Sequence, residues 1–250
     1  MDSTRKKIGP VGAGHVRIET DLDCTDARPL GTLRGEVRLT GGKEGQELQH
    51  LKLCLTVDAR IDALLPVRDD HLVIFEYDFA EKLEVPAHAE QSMSFEIPLP
   101  GDIPVSLAET RVYAEVRCHH PHVLERTVIE IQAPESYLRL ISCMALAGLQ
   151  VKGAFCQESS VFEASRPLAQ FFEFDAPETE FSEVEAAFRL QGSRIDVFLV
   201  ADRKRSGFLG WIDDILGHDS MVARTSVGVT DSDEAMIQAI QGGLRALSQN

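Results

Sequence analysis

The chain has 250 residues, 44% of them apolar and 26% charged, which marks a globular protein able to bury one large core or two smaller ones. A formal net charge of −15 opposes attraction to nucleic acid or anionic lipid, so no nucleic-acid partner and no stable membrane insertion are expected. The five cysteines show no CxxC spacing and their odd number cannot pair completely, so they are expected to be reduced, in a cytoplasmic protein.

Apolar residues recur at every second position along the first half of the chain. Val37-Arg38-Leu39-Thr40, Leu51-Lys52-Leu53-Cys54-Leu55-Thr56-Val57, Ser94-Phe95-Glu96-Ile97 and Val112-Tyr113-Ala114-Glu115-Val116 all have this period. It describes strands with one buried and one wet face. Strands are expected near 12–23, 32–39, 48–62, 72–83, 90–98, 110–117 and 123–132. Turn residues part them at Pro29-Leu30-Gly31, Gly41-Gly42, Pro66, Pro86 and Pro100-Gly101-Asp102. This is the inventory of one β-sandwich over residues 1–133.

Pro134 breaks the pattern. Leu138, Ile141, Ala145 and Leu149 then fall at helical spacing with Gly148 as a stop, so a helix is expected over 136–147. Strand patterns resume at 149–156, 169–174, 184–190, 195–201 and 221–229. The last element reads as a helix, with Asp231 and Glu234 as a capping-box-like start and Met236, Ile237, Ile240, Leu244 and Leu247 as its apolar stripe. Gly242-Gly243 inside it costs ~2 kcal/mol against two alanines, so the helix must depend on docking. Residues 135–250 are expected to form a second β-sandwich with flanking helices.

Several segments, in order, are similar to those of the bacterial sporulation-control M protein family. Gly12-Ala13-Gly14-His15-Val16-Arg17-Ile18-Glu19-Thr20-Asp21-Leu22 has the family's glycine pair, basic residue after valine and acidic strand end. Leu33-Arg34-Gly35-Glu36-Val37 leading into Gly41-Gly42 and Gln46-Glu47-Leu48 resembles the segment that follows. Phe95-Glu96-Ile97-Pro98-Leu99-Pro100 and Asp102-Ile103-Pro104-Val105-Ser106 resemble its proline-bracketed turn. Gln170-Phe171-Phe172-Glu173-Phe174, Glu183-Val184-Glu185 and Asp202-Arg203-Lys204-Arg205 resemble its later stretches. The resemblance covers nearly the whole chain. It implies a mainly β protein of two arrestin-like sandwich domains with a connecting and a C-terminal helix, acting in regulation without known chemistry. One turn departs from the family. After Arg117, where relatives tend to carry Asp-Pro-Thr-Asp, this chain has Cys118-His119-His120-Pro121-His122.

That turn is the sharpest candidate for metal chemistry. Cys118, His119, His120 and His122 offer four soft or borderline ligands for Zn²⁺ or Cu²⁺. Adjacent histidines on a strand point to opposite faces, however, and no second cluster stands elsewhere to complete a site. Gly9-Pro10-Val11-Gly12-Ala13-Gly14 precedes a strand and lacks the following helix that a dinucleotide loop needs. No GxSxG, HExxH or kinase-type signature is present, so no cofactor and no enzymatic activity are expected. The alternative is a metal-dependent enzyme or metal sensor using the Cys118–His122 loop.

Arg203, Lys204 and Arg205 stand out on so acidic a chain, and they precede an apolar segment with the lone tryptophan, Trp211. Arg and Trp are enriched at interface hot spots, so these four residues are the candidate partner-binding surface. Exposed sheet edges tend to pair, and the family resemblance together with this apolar segment favours self-association as a homodimer. The expected function is that of a non-catalytic cytosolic regulatory or adaptor protein whose partner protein is unknown.

Overall fold

The computed structural model describes residues 16–58, 72–118, 122–159, 161, 168–177, 179, 181–201 and 221–249. The chain is mainly β, with twelve strands and two helices among these residues. It divides into two compact units.

In the first unit the described strands are β1 (Arg17–Asp23), β2 (Thr32–Thr40), β3 (Gln46–Val57), β4 (Leu72–Val85), β5 (Glu90–Pro98), β6 (Val112–Cys118) and β7 (His122–Ile129). They form two antiparallel sheets in the orders β1-β2-β5 and β4-β3-β6-β7. The period-two pattern decides which side faces in: Leu33, Val37 and Leu39 of β2 are buried while Arg34 and Arg38 are exposed. Leu53, Leu55 and Val57 of β3 face the same core with Val112, Ala114 and Val116 of β6. Tyr77 and Phe79 of β4 close on Phe95 of β5 across the two sheets, at ring distances of 6.3 and 5.7 Å. The sheets are also joined by a polar link. Buried Glu125 of β7 accepts from the backbone N–H of Thr20 on β1 at 3.1 Å and from the Thr20 hydroxyl. Gly41 lets the β2–β3 turn approach Pro86, whose carbonyl oxygen lies 2.0 Å from where a Cβ would stand.

The second unit takes in residues 101–110, between β5 and β6 in the chain, and the described residues from Ala133 onward. Helix α1 (Glu135–Leu146) is followed by β8 (Gln150–Glu158), β9 (Leu168–Asp175), β10 (Glu183–Gln191), β11 (Arg194–Ala201), β12 (Met221–Gly228) and helix α2 (Asp233–Gln249). All five described strands lie in one antiparallel sheet of order β12-β11-β10-β9-β8. Strands β9 and β11 are buried at nearly every position, which explains their continuous apolar runs.

One face of this sheet carries the helices. Phe172 stacks on Phe188 at 4.7 Å, and the Tyr137 ring of α1 meets Phe188 edge-on at 5.5 Å. Helix α2 buries Met236, Ile240, Leu244 and Leu247 of the expected stripe and leaves Ile237 half-buried, and Gly243 rests against Leu199 of β11. Its N-cap is Ser232, whose hydroxyl accepts from the Ala235 N–H at 3.3 Å. Asp231, expected in that role, instead accepts from the Gly228 N–H at 2.6 Å and holds the preceding turn.

Residues 101–110 have no regular structure, yet Ile103 and Val105 are buried. Gln170 of β9 secures them from both sides of its amide. Its Oε1 accepts from the Val105 N–H at 2.9 Å, and its Nε2 donates to the Val105 carbonyl at 2.8 Å and to Thr110 Oγ1 at 2.9 Å. The Gly101 carbonyl accepts from the Leu190 N–H at 2.9 Å and the Tyr137 hydroxyl at 3.3 Å. A side-chain amide thus supplies the bonds a neighbouring strand would otherwise give.

Candidate functional site

Of the residues singled out for metal, Cys118 ends β6 and is buried, and the β6–β7 register sets it opposite His122. Burial pushes the Cys118 thiol up, away from the thiolate that binds metal or reacts. His119 and His120 lie outside the described residues, as does the side chain of His122. Among the described residues no group of three or more His, Cys, Asp or Glu side chains is placed to hold a metal ion. The partner-surface candidates Arg203, Lys204, Arg205 and Trp211 also lie outside the described residues.

Among the described residues, three places gather several charged groups around a buried carboxylate. In the first unit Glu115 of β6 is fully buried and heavily partnered. Arg117 donates to it from Nε at 2.8 Å and Nη2 at 2.5 Å, and Thr56 Oγ1 donates at 3.1 Å. Arg126 of β7 makes an ion pair with it at 2.6 Å and lies over the Tyr113 ring at 5.4 Å. Two guanidinium groups and a hydroxyl offset the desolvation of one carboxylate, an arrangement that fixes three strands.

The second place is one corner of the five-stranded sheet, on the face away from the helices. Register pairs Glu185 with Glu173 and Glu183 with Asp175, so four carboxylates from β9 and β10 share this face. Lys152 of β8 lies 2.8 Å from Glu173, 3.7 Å from Asp175 and 3.4 Å from Glu183. The hydrogen bond to Glu173 holds the Lys152 ammonium well above its usual range. The Glu183 carboxyl is pushed up, first by sharing a hydrogen bond with Glu173 and then by burial, against the pull of Lys152.

The third place is the diagonal corner of the same face. Arg189 of β10 and Arg224 of β12 both reach Asp196 Oδ2 at 3.1 Å, and both guanidinium groups lie over Phe198, at 5.8 and 5.1 Å. Arg194 donates to Ser226 Oγ at 3.1 Å. Three arginines meet one described carboxylate here. Between the two corners Phe155, Ala169, Phe171, Ala187, Phe198 and Val200 form a buried apolar cluster with Val161 against it. Sequence reading missed both corners, because register is what brings β8, β9 and β10, or β10, β11 and β12, together.

A mainly β protein of two compact units, its strands in three antiparallel sheets, is the class that this architecture defines. The family model described as SpoOM protein matches residues 4–205, and the chain belongs to this family, as the ordered resemblance from Gly12 to Arg205 leads one to expect. The sporulation-control protein spo0M of Bacillus subtilis (strain 168) is 21% identical in an alignment of 237 positions that covers 90% of each protein. The crystal structure of Spo0M, sporulation control protein, from Bacillus subtilis is similar in fold, with a TM-score of 0.71. That match has 20% identity and covers 96% of this chain and 99% of the other. No described helix is long and apolar enough to cross a membrane.

Proposed function

We propose that the chain is a non-catalytic regulatory protein of sporulation control that works in the cytoplasm by binding other proteins. The observation that carries this reading is the match to a sporulation-control protein over 90% of both chains. The odd number of cysteines and their lack of CxxC spacing support a reducing compartment. Contact with the partner is assigned to Arg203, Lys204, Arg205 and Trp211, where cations on an acidic chain adjoin apolar residues. Arginine at two of these positions offers bidentate pairing with partner carboxylates. The chain also pairs with a second copy of itself.

The test is capture of a partner by the tagged full chain in its own host, followed by the double substitution Arg203→Ala and Arg205→Ala. The expected result is an unchanged thermal midpoint and loss of the captured partner. Capture at wild-type affinity by the variant overturns the assignment of the surface, and substrate turnover by the purified chain overturns the non-catalytic reading.

A further inference from the structure

We propose that the first unit binds an extended segment of another protein as an added strand beside β5, a segment in which apolar and basic side chains alternate. It uses none of the residues to which partner contact is assigned above, and it names the kind of segment recognised. The described sheets of this unit have three and four strands. At one margin of the sandwich the sheets close on each other: the Thr20 N–H of β1 donates to Glu125 of β7, and Ile18 and Ile129 are buried. At the other margin Tyr77, Phe79 and Leu83 of β4 and Met93 of β5 stay half-buried, although they stand on the core side of their strands. There Gln91 Nε2 donates to the Glu84 carbonyl at 3.0 Å, and the smaller sheet ends one strand early.

Breaks in register, charges and proline protect an edge strand from pairing. Strand β4 has two of these: its register on β3 breaks twice, and it carries Glu76, Asp78, Glu81 and Glu84. Strand β5 pairs with β2 without a break from Glu90 to Pro98, and it has no charge or proline from Gln91 to Phe95. Its outer edge therefore offers backbone N–H and C=O groups to a further strand, whose side chains alternate between the two faces. Those on the core face lie over Tyr77, Phe79 and Met93, which suits apolar groups. Those on the outer face stand beside Glu90 and Glu96, which suits lysine or arginine. Glu90 is exposed, and Glu96 is 64% exposed even though Arg34 reaches it at 2.7 Å. The cation of β4, Lys82, is held by Glu47 at 2.7 Å. A second copy is a poor guest here, because antiparallel pairing of two β5 strands about Met93 sets Glu90 against Glu96 at both ends.

The experiment uses the full chain and short capped peptides of strand length that alternate lysine with valine, glutamate with valine, or lysine with proline. Fluorescence anisotropy reads binding, and amide hydrogen exchange reads the site. The lysine–valine peptide is expected to bind and to slow exchange in Gln91–Phe95. The glutamate–valine peptide lacks the charge and the lysine–proline peptide cannot join a ladder, so neither is expected to do so. In the double variant Glu90→Lys and Glu96→Lys the preference is expected to reverse, the lysine–valine peptide losing about tenfold and the glutamate–valine peptide gaining. That gain shows that the variant is folded. If the lysine–valine peptide does not bind, the carboxylates only guard the edge and the proposal falls. Equal binding of the lysine–proline peptide, protection only outside β5, or a variant whose preference does not reverse overturns it as well. No host partner enters this assay, so its failure leaves the capture experiment above to decide the regulatory reading by itself.

Discussion

The adjacent glycines of α2 are expected to respond in opposite directions to the same substitution. Alanine in a helix interior is favoured over glycine by about 1 kcal/mol, because it has less backbone freedom to lose. At Gly242 a new Cβ meets nothing closer than the Arg245 guanidinium at 3.9 Å, so Gly242→Ala should realise most of that gain. At Gly243 the Cβ would stand 2.7 Å from Leu199 Cδ1 and 3.6 Å from Thr225 Cγ2. Leu199 is fully buried and cannot swing aside without disturbing its neighbours. Overpacking of this kind costs ~1–3 kcal/mol, which cancels or exceeds the propensity gain. Scanning calorimetry of the full chain is the assay. At ~2–4 °C per kcal/mol for a chain of this size, Gly242→Ala should raise the midpoint by a few degrees while Gly243→Ala leaves it level or lowers it. If both variants gain equally, α2 does not approach β11 as closely as described and the packing argument fails.

Replacing Gln170 by Leu leaves the Val105 N–H and carbonyl and the Thr110 hydroxyl without their partner. A loss of ~1–3 kcal/mol in urea unfolding is expected, with faster hydrogen exchange at the Val105 amide; unchanged exchange would contradict the clamp. Thr20→Val removes one donor from buried Glu125, whose carboxyl already titrates above its usual range because of burial. Its ionised form is the disfavoured one, so the deficit should be present at neutral pH and shrink as pH falls into the carboxylate range; a deficit independent of pH would point to packing instead. Glu183 is likewise raised, so the stability tied to its protonated form is full below the ordinary carboxyl range and lost as pH rises through its folded value. Glu183→Gln should therefore gain on the wild type at pH 7 and lose that advantage near pH 4, read as the difference in unfolding midpoints at the two values. Metal analysis of untagged protein should return far less than one ion per chain; one tightly held ion that is lost in the double variant His119→Ala and His120→Ala would make the turn from Cys118 to His122 a metal site.

The strands of the first unit are legible because their sheets have one wet face: the alternation in Leu33-Arg34 and Val37-Arg38-Leu39 is the burial pattern itself. The doubly buried strands of the second unit are legible as apolar runs, Phe171-Phe172 in β9 and Val197–Val200 in β11. What a linear pattern does not carry is partnership at long range. Nothing local in Asp102–Thr110 says that these residues pack on β9, because the informative group is Gln170, 65 positions beyond Val105. Gly242 and Gly243 look alike in sequence and differ only in what faces them. The charged corners are hidden for the same reason, since Lys152, Glu173 and Glu183 are scattered until three strands align. Asp231 and Ser232 compete for one cap on equal chemical terms, and the turn at Gly228 decides between them.

The place of residues 101–110 has a consequence for biosynthesis. On a growing chain, β6 and β7 emerge after this segment and can zip onto β3 without it, whereas its own dock does not exist until Gln170 has been made. At ~5–20 residues per second, the 65 positions from Val105 to Gln170 correspond to roughly 3–13 s of translation. For that interval Ile103 and Val105 lack the cover that β9 gives them in the folded chain. Asp102, Pro104 and Glu109 punctuate the stretch with charge and with a residue that cannot join a sheet, which keeps it from pairing with the strands folding on either side.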